Sequence, residues 1–260
     1  MPVPRRTRSA PTPSAVPLVL LVLLAGTGFA VLTRPESDLP DRLAAALPLP
    51  LPKPRLAPTD FPIDAGRDAV LFSQLDAADR AWQPQAVPIP GGGTRYTYKR
   101  RAGDPPLNLE QIKALMRNPP TFAQERRTIA LLLQELRRAG ARVVLGPPRK
   151  QGAAGEWEPR RLVLRVRPDV PGKGSREFVR VLNHEAIHVA QSCRRGRINA
   201  RPTTLGLSRD VDPRELRHLA APIYADATPL ERALEEEAYA NQDNLNLGIQ
   251  LLQAHCRSTV

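Results

Sequence analysis

Aromatic side chains are scarce: Phe, Trp and Tyr together make up 4% of the 260 residues. A chain so poor in them has no platform for stacking bases, and it carries no RNP-like, zinc-finger or basic-zipper pattern. Nucleic acid is therefore not an expected partner, despite a formal net charge of +12. That excess suits anionic surfaces or acidic partners, or it reflects an Arg-rich, Lys-poor usage. Cysteine is nearly absent too. Cys193 and Cys256 can form one bridge or stay as two unpaired thiols, but they cannot make a disulfide framework. No G-K-[ST] follows Gly91-Gly92-Gly93, so that triplet reads as a turn and not as a phosphate loop.

Charge is missing from one long stretch. Residues 1–14 form a polar tail with Arg5, Arg6 and Arg8, and residues 15–32 then run uncharged for 18 positions. A run of that length just spans a bilayer, as a transmembrane signal anchor. The arginines ahead of it predict a cytoplasmic N-terminus and an exported remainder, hence a single-pass cell-membrane protein. A signal peptide cleaved near Gly28-Phe29-Ala30 is the alternative. Residues 33–62 follow as a linker: 13 of the 29 prolines fall within the first 62 positions, so this stretch is an extended spacer. Residues 63–260 have globular composition and are long enough to bury a sizeable core.

Within that domain, helices are expected over residues 65–82 and 108–118, and from Thr121 to Gly140. The first of these takes Asp64 as N-cap and turns Asp79 and Arg80 to water. In the third, Ile129, Leu132, Leu133 and Leu136 recur at helical spacing and predict one core-facing side. Residues 95–101 are a possible basic strand, and residues 141–145 and 161–167 read as further strands joined by a long loop over 146–160. In the last of them Leu162, Leu164 and Val166 alternate with a largely basic face that includes Arg165 and Arg167. Helices and strands in this order give an α+β class. Residues 194–214 are basic and turn-rich, a surface excursion able to cover a cleft. The last helix starts at Thr228, with Pro229 at N1 and Glu231 completing a capping box.

The stretch that carries chemistry is residues 175–193, SREFVRVLNHEAIHVAQSC, with Ser175 as its expected N-cap. Its His184-Glu185-Ala186-Ile187-His188 places two imidazoles one helical turn apart on one face, where both can hold a single ion. Glu185 lies about 100° round the helix and can reach a water on that ion without binding it. Two histidines and a third protein ligand leave zinc an open position, so Zn²⁺ is the expected cofactor. The third ligand is sought on the last helix, where Leu230, Leu234, Ala238, Asn241, Leu245, Ile249 and Leu252 share a stripe. Glu237 falls inside its widened arc, while Glu235 and Glu236 fall outside, towards water. A carboxylate facing a core is costly unless paired or metal-bound, which makes Glu237 the expected ligand. A salt bridge to an arginine is its alternative, and His218 and His255 are the other candidate donors. Asn241, one turn on, is placed either to accept a hydrogen bond from a zinc-bound histidine or to join two helices.

The pair His184-Glu185-x-x-His188 and, 49 residues on, Glu237-Ala238-Tyr239-Ala240 resembles the gluzincin metallopeptidases. The E-x-[FY]-A form is similar to the third-ligand helix of the MtfA and anthrax lethal-factor type. Asn241 stands where thermolysin-like members carry an acidic residue, a departure from that pattern. The resemblance covers about a third of the chain. It implies a zincin-like fold, with a small sheet packed on the motif helix and a C-terminal ligand helix. It also implies that residues 162–167 form the sheet edge along which an extended peptide lies. The activity implied is a zinc peptidase acting on peptides or proteins, with Glu185 as general base and Tyr224 or Tyr239 as a transition-state stabiliser. For both tyrosines core packing is the alternative. The rival from another class is a non-catalytic exported basic domain binding anionic lipid, cell-wall polymer or an acidic protein, its metal site structural or vestigial.

Overall fold

Residues 56–100 and 104–256 are described in the computed structural model. The basic tail, the apolar run at 15–32 and the linker up to residue 55 lie outside the described residues. Among those described, no helix is long and apolar enough to cross a membrane. The fold is α+β. A short strand β1 (Phe61–Pro62) leads into helix α1 (Asp68–Ala81) and an exposed hairpin of β2 (Gln85–Pro88) and β3 (Thr94–Thr97). Helices α2 (Leu109–Arg117) and α3 (Ala123–Arg138) follow, then strands β4 (Arg142–Leu145), β5 (Gly155–Glu158) and β6 (Val163–Val166). The C-terminal half is helical: α4 (Ser175–Cys193), α5 (Pro213–Leu219), α6 (Pro229–Asn241) and α7 (Leu247–His255).

The main sheet has the order β1-β4-β6-β5. β4 and β6 pair in parallel, and the outer two pairings are antiparallel. Two expectations change here. Residues 162–167 are interior, with a partner on either side; the edges are β1 and β5, and β5 lies inside the stretch read as a loop. Gly-Glu-Trp-Glu is too short and too mixed to show a strand period. The expected basic face of β6 is also absent, because all four of its residues are buried. Arg165, at 2% exposure, is held between Asp60 and Glu158. Asp60 and β1 belong to the Pro-rich stretch, so the domain begins before residue 63.

Helix α4 runs through the middle of the domain and packs against α3, α6, α7 and β5. The expected face of α3 is borne out: Ile129, Leu132, Leu133 and Leu136 are fully buried. Each contributes about 1.5–3 kcal/mol through lost apolar exposure, which outweighs the weak intrinsic preferences of its Arg-rich outer side. Gly140, at φ 92°, lets the chain turn from α3 straight into β4.

The start of α4 differs from expectation. Ser175 is the first helical residue and not the cap. The cap comes from α1: Asp79 is buried, and its carboxylate accepts from the Ser175 amide at 2.8 Å and the Ser175 hydroxyl at 2.6 Å. An unsatisfied helix start inside the protein needs such a partner, and periodicity, which placed Asp79 towards water, could not supply the other helix. At its far end α4 is tied to the C-terminus by a Cys193–Cys256 disulfide.

The last helix is two. The Thr228 capping box is present, but the chain breaks after Asn241 and resumes as α7. Asn183 of α4 organises the break, donating to Gln242 O and Asn244 O and accepting from Gly248 N.

Candidate metal centre

One turn of α4 brings the His184 and His188 rings edge to face, with their Nε2 atoms 3.1 Å apart. Helix α6 adds a carboxylate from the opposite side. Glu235 Oε2 lies 3.4 Å from His184 Nε2 and 3.5 Å from His188 Nε2. These side chains form a group able to hold a metal ion. Zinc bonds of 2.0–2.2 Å in a tetrahedron put neighbouring ligand atoms about 3.4 Å apart, so the three separations fit the faces of a zinc polyhedron. The outer ring nitrogens agree with this reading. His184 Nδ1 faces Gln242 Oε1 at 3.2 Å, and His188 Nδ1 faces Gln191 Oε1 at 2.7 Å. Amide oxygens only accept, so each Nδ1 carries a hydrogen, and Nε2 is the nitrogen of each ring available to an ion. Two imidazole nitrogens and a carboxylate oxygen in this arrangement are a donor set that could hold a metal ion.

The same groups are coupled electrostatically. Burial works against a charged His188, yet the Glu235 carboxylate outweighs it and lifts the pKa to about 9. Burial likewise works to raise the Glu235 pKa, but His188 and His184 hold it well below the ordinary carboxylate range. Glu185 is different. Burial raises its pKa, and the two histidines only partly oppose this. Its carboxyl lies directly against the edge strand. A Cβ placed on Gly155 would come within 2.6 Å of Glu185 Oε1 and 2.7 Å of its Cγ, so only glycine lets β5 approach this closely.

Around these groups lies a cleft of about 530 Å³, lined by β5 on one wall and α6 on the other. Tyr224 Oη donates to Glu235 Oε2 at 3.1 Å, and Lys150 Nζ sits 3.7 Å from Glu235 Oε1. The Tyr239 ring packs on His184 with centroids 4.6 Å apart and stacks with His218 at 6.1 Å.

Thus the fold gathers His184, His188 and Glu185 with both tyrosines, as the sequence leads one to expect. It does not bring Glu237 or Asn241 to the histidines. The Glu237 carboxylate, 1% exposed, accepts from the amides of Leu205, Gly206 and Leu207 and from Gln191 Nε2. Asn241 donates to Ser208 O and Glu237 O. His218 stays at the rim, about half exposed, and its nearest carboxylate is Glu215. The residues missed are Glu235, Gln191, Gln242 and Lys150. Helix α6 is covered on more than one side: Leu230, Leu234 and Glu235 line the cleft, while Glu237 is buried under the loop at 205–207. The run Glu235-Glu236-Glu237 was the available signal, and choosing within it needed the second packing partner. Compared with protein-family models, with curated proteins and with solved structures, the chain matches none.

Proposed function

We propose that the chain is a zinc-dependent peptidase of zincin-like architecture, with His184, His188 and Glu235 as metal ligands and Glu185 as general base. The observation that carries this reading is the convergence of two Nε2 atoms and one carboxylate oxygen beside a buried carboxyl with a raised pKa. Zinc, when bound there, supplies a Lewis acid for the substrate carbonyl and for the attacking water. The chain's own groups carry the protons. Glu185 takes one from the water as its oxygen attacks the peptide carbon, then returns it to the leaving nitrogen as the C–N bond breaks.

Tyr224 Oη and Lys150 Nζ flank the cleft side of Glu235 and suit a developing negative charge. The free edge of β5 borders the same cleft, which supports an extended peptide as substrate. The Cys193–Cys256 bridge supports an oxidising compartment, in keeping with the exported orientation expected from residues 1–32.

The test pairs metal analysis of the full chain with cleavage of a casein-like protein. Stoichiometric zinc and cleavage are expected from the wild type. Glu185→Gln should keep the zinc and lose cleavage. Undiminished cleavage by that variant would eliminate the mechanism, and a wild type that takes up no zinc would leave only a binding domain.

A further inference from the structure

We infer that Glu237 and Glu215 are positioning residues for the metal centre, each acting through a glutamine side chain to decide which nitrogen of a histidine carries the hydrogen. The inference rests on the zinc reading above. Gln191 is fully buried, and its Nε2 donates to Glu237 Oε2 and to Leu234 O, both at 3.1 Å. Both partners can only accept. Flipping the amide would press its oxygen against a carboxylate and a carbonyl with no water to relieve them. Gln191 Oε1 is therefore held towards His188 Nδ1, and Nε2 of that ring remains free for an ion.

The second arm repeats the logic. Gln242, also buried, donates through Nε2 to Glu215 Oε2 at 3.3 Å and offers Oε1 to His184 Nδ1. Arg180 holds Glu215 in turn, at 2.7 Å. Behind each glutamine an acidic partner accepts from its Nε2, joined at Gln191 by the Leu234 carbonyl.

Glu237 also reaches further than its histidine. Three consecutive amides, at Leu205, Gly206 and Leu207, converge on it at 2.7–3.1 Å, and the positive φ of Gly206 accompanies that convergence. The preceding residues of the same loop, Arg201 and Pro202, line the cleft. One carboxylate therefore sets both the ring of His188 and the course of the loop at the cleft wall. Its four donors leave it no role as a ligand.

The experiment uses the full chain and measures zinc affinity by chelator competition, with the visible spectrum of the cobalt-loaded protein and thermal stability beside it. Gln191→Met and Gln242→Met are each expected to weaken zinc binding about 10–100-fold, and Glu237→Gln to follow Gln191→Met. The cobalt spectrum should shift in each, because a histidine has turned. Glu235→Gln, which removes a ligand, should fall far below all of them. If Gln191→Met binds zinc within twofold of wild type, even with stability reduced, the amide is only structural and the inference fails. It fails equally if Glu237→Gln abolishes zinc binding while Glu235→Gln retains it, since Glu237 would then be a ligand. Should Glu237→Gln not fold, Gln191→Met decides alone. Absence of zinc from the wild type would instead overturn the zinc reading on which this rests.

Discussion

Glu235 and Glu237 stand two positions apart on α6 and do opposite work. At about 100° per residue they point some 200° apart, so only one of them can face α4's histidines. The helix rotation that puts Glu235 in the cleft drives Glu237 into the loop at 205–207. Gly155 makes a similar point through what it lacks. Its missing side chain is the space occupied by the Glu185 carboxyl. Gly155→Ala should therefore displace the proposed general base and leave the proposed ligands alone. The expected outcome is a fall in kcat of at least 10²-fold with zinc content unchanged, since a misplacement of about 1 Å costs that much. Loss of zinc in parallel would mean that the strand supports the ligands instead.

At the scale of elements, α4 is the piece that other elements hold in place. Its first turn is capped by Asp79 of α1, which also pairs with Arg126 of α3, so one carboxylate joins three helices. Asp79→Ala should lower stability by about 1–3 kcal/mol, the combined scale of a lost cap and an unsatisfied buried amide. Urea unfolding followed by circular dichroism checks this, and a shift under 0.5 kcal/mol would show that Arg126 and water fill the gap. Further along α4, Asn183 sits where α6 gives way to α7. An apolar stripe running through Leu234, Ala238, Leu245 and Leu252 reads as one helix. The chain instead turns there because buried Asn183 supplies the partners that the broken backbone needs. The edge strand β5 was equally hidden, a run of four residues defined by its pairing with β6 and by no period of its own.

At the scale of the whole molecule, the disulfide closes a 63-residue separation from the end of α4 to Cys256, just after α7. It encloses α5, α6 and α7 with every cleft residue they provide. Cys193→Ser with Cys256→Ser should cost about 2–4 kcal/mol of stability, seen as a lower urea midpoint. Zinc affinity should be retained, because neither sulfur contacts the ligands' supporting glutamines. The formal charge of +12 is not gathered in this cleft. Many of its cations are already paired with acids: Arg167 and Lys173 with Asp169, Arg180 with Glu215 and Asp243.

The sequence by itself determined the α+β class, the apolar face of α3, the Thr228 capping box and the helical turn that presents two histidines and a glutamate. Each depends on contacts within a few residues, where spacing along the chain is spacing in space. Only the tertiary structure decided which carboxylate faces the two histidines, the glutamines behind them, the strand that borders the cleft and the cap of α4. Those depend on which second element faces a given side chain. A helix with protein on two sides has no single buried face for periodicity to reveal, so Glu237 is buried as expected but away from the histidines, and Glu235, expected towards water, is buried beside them.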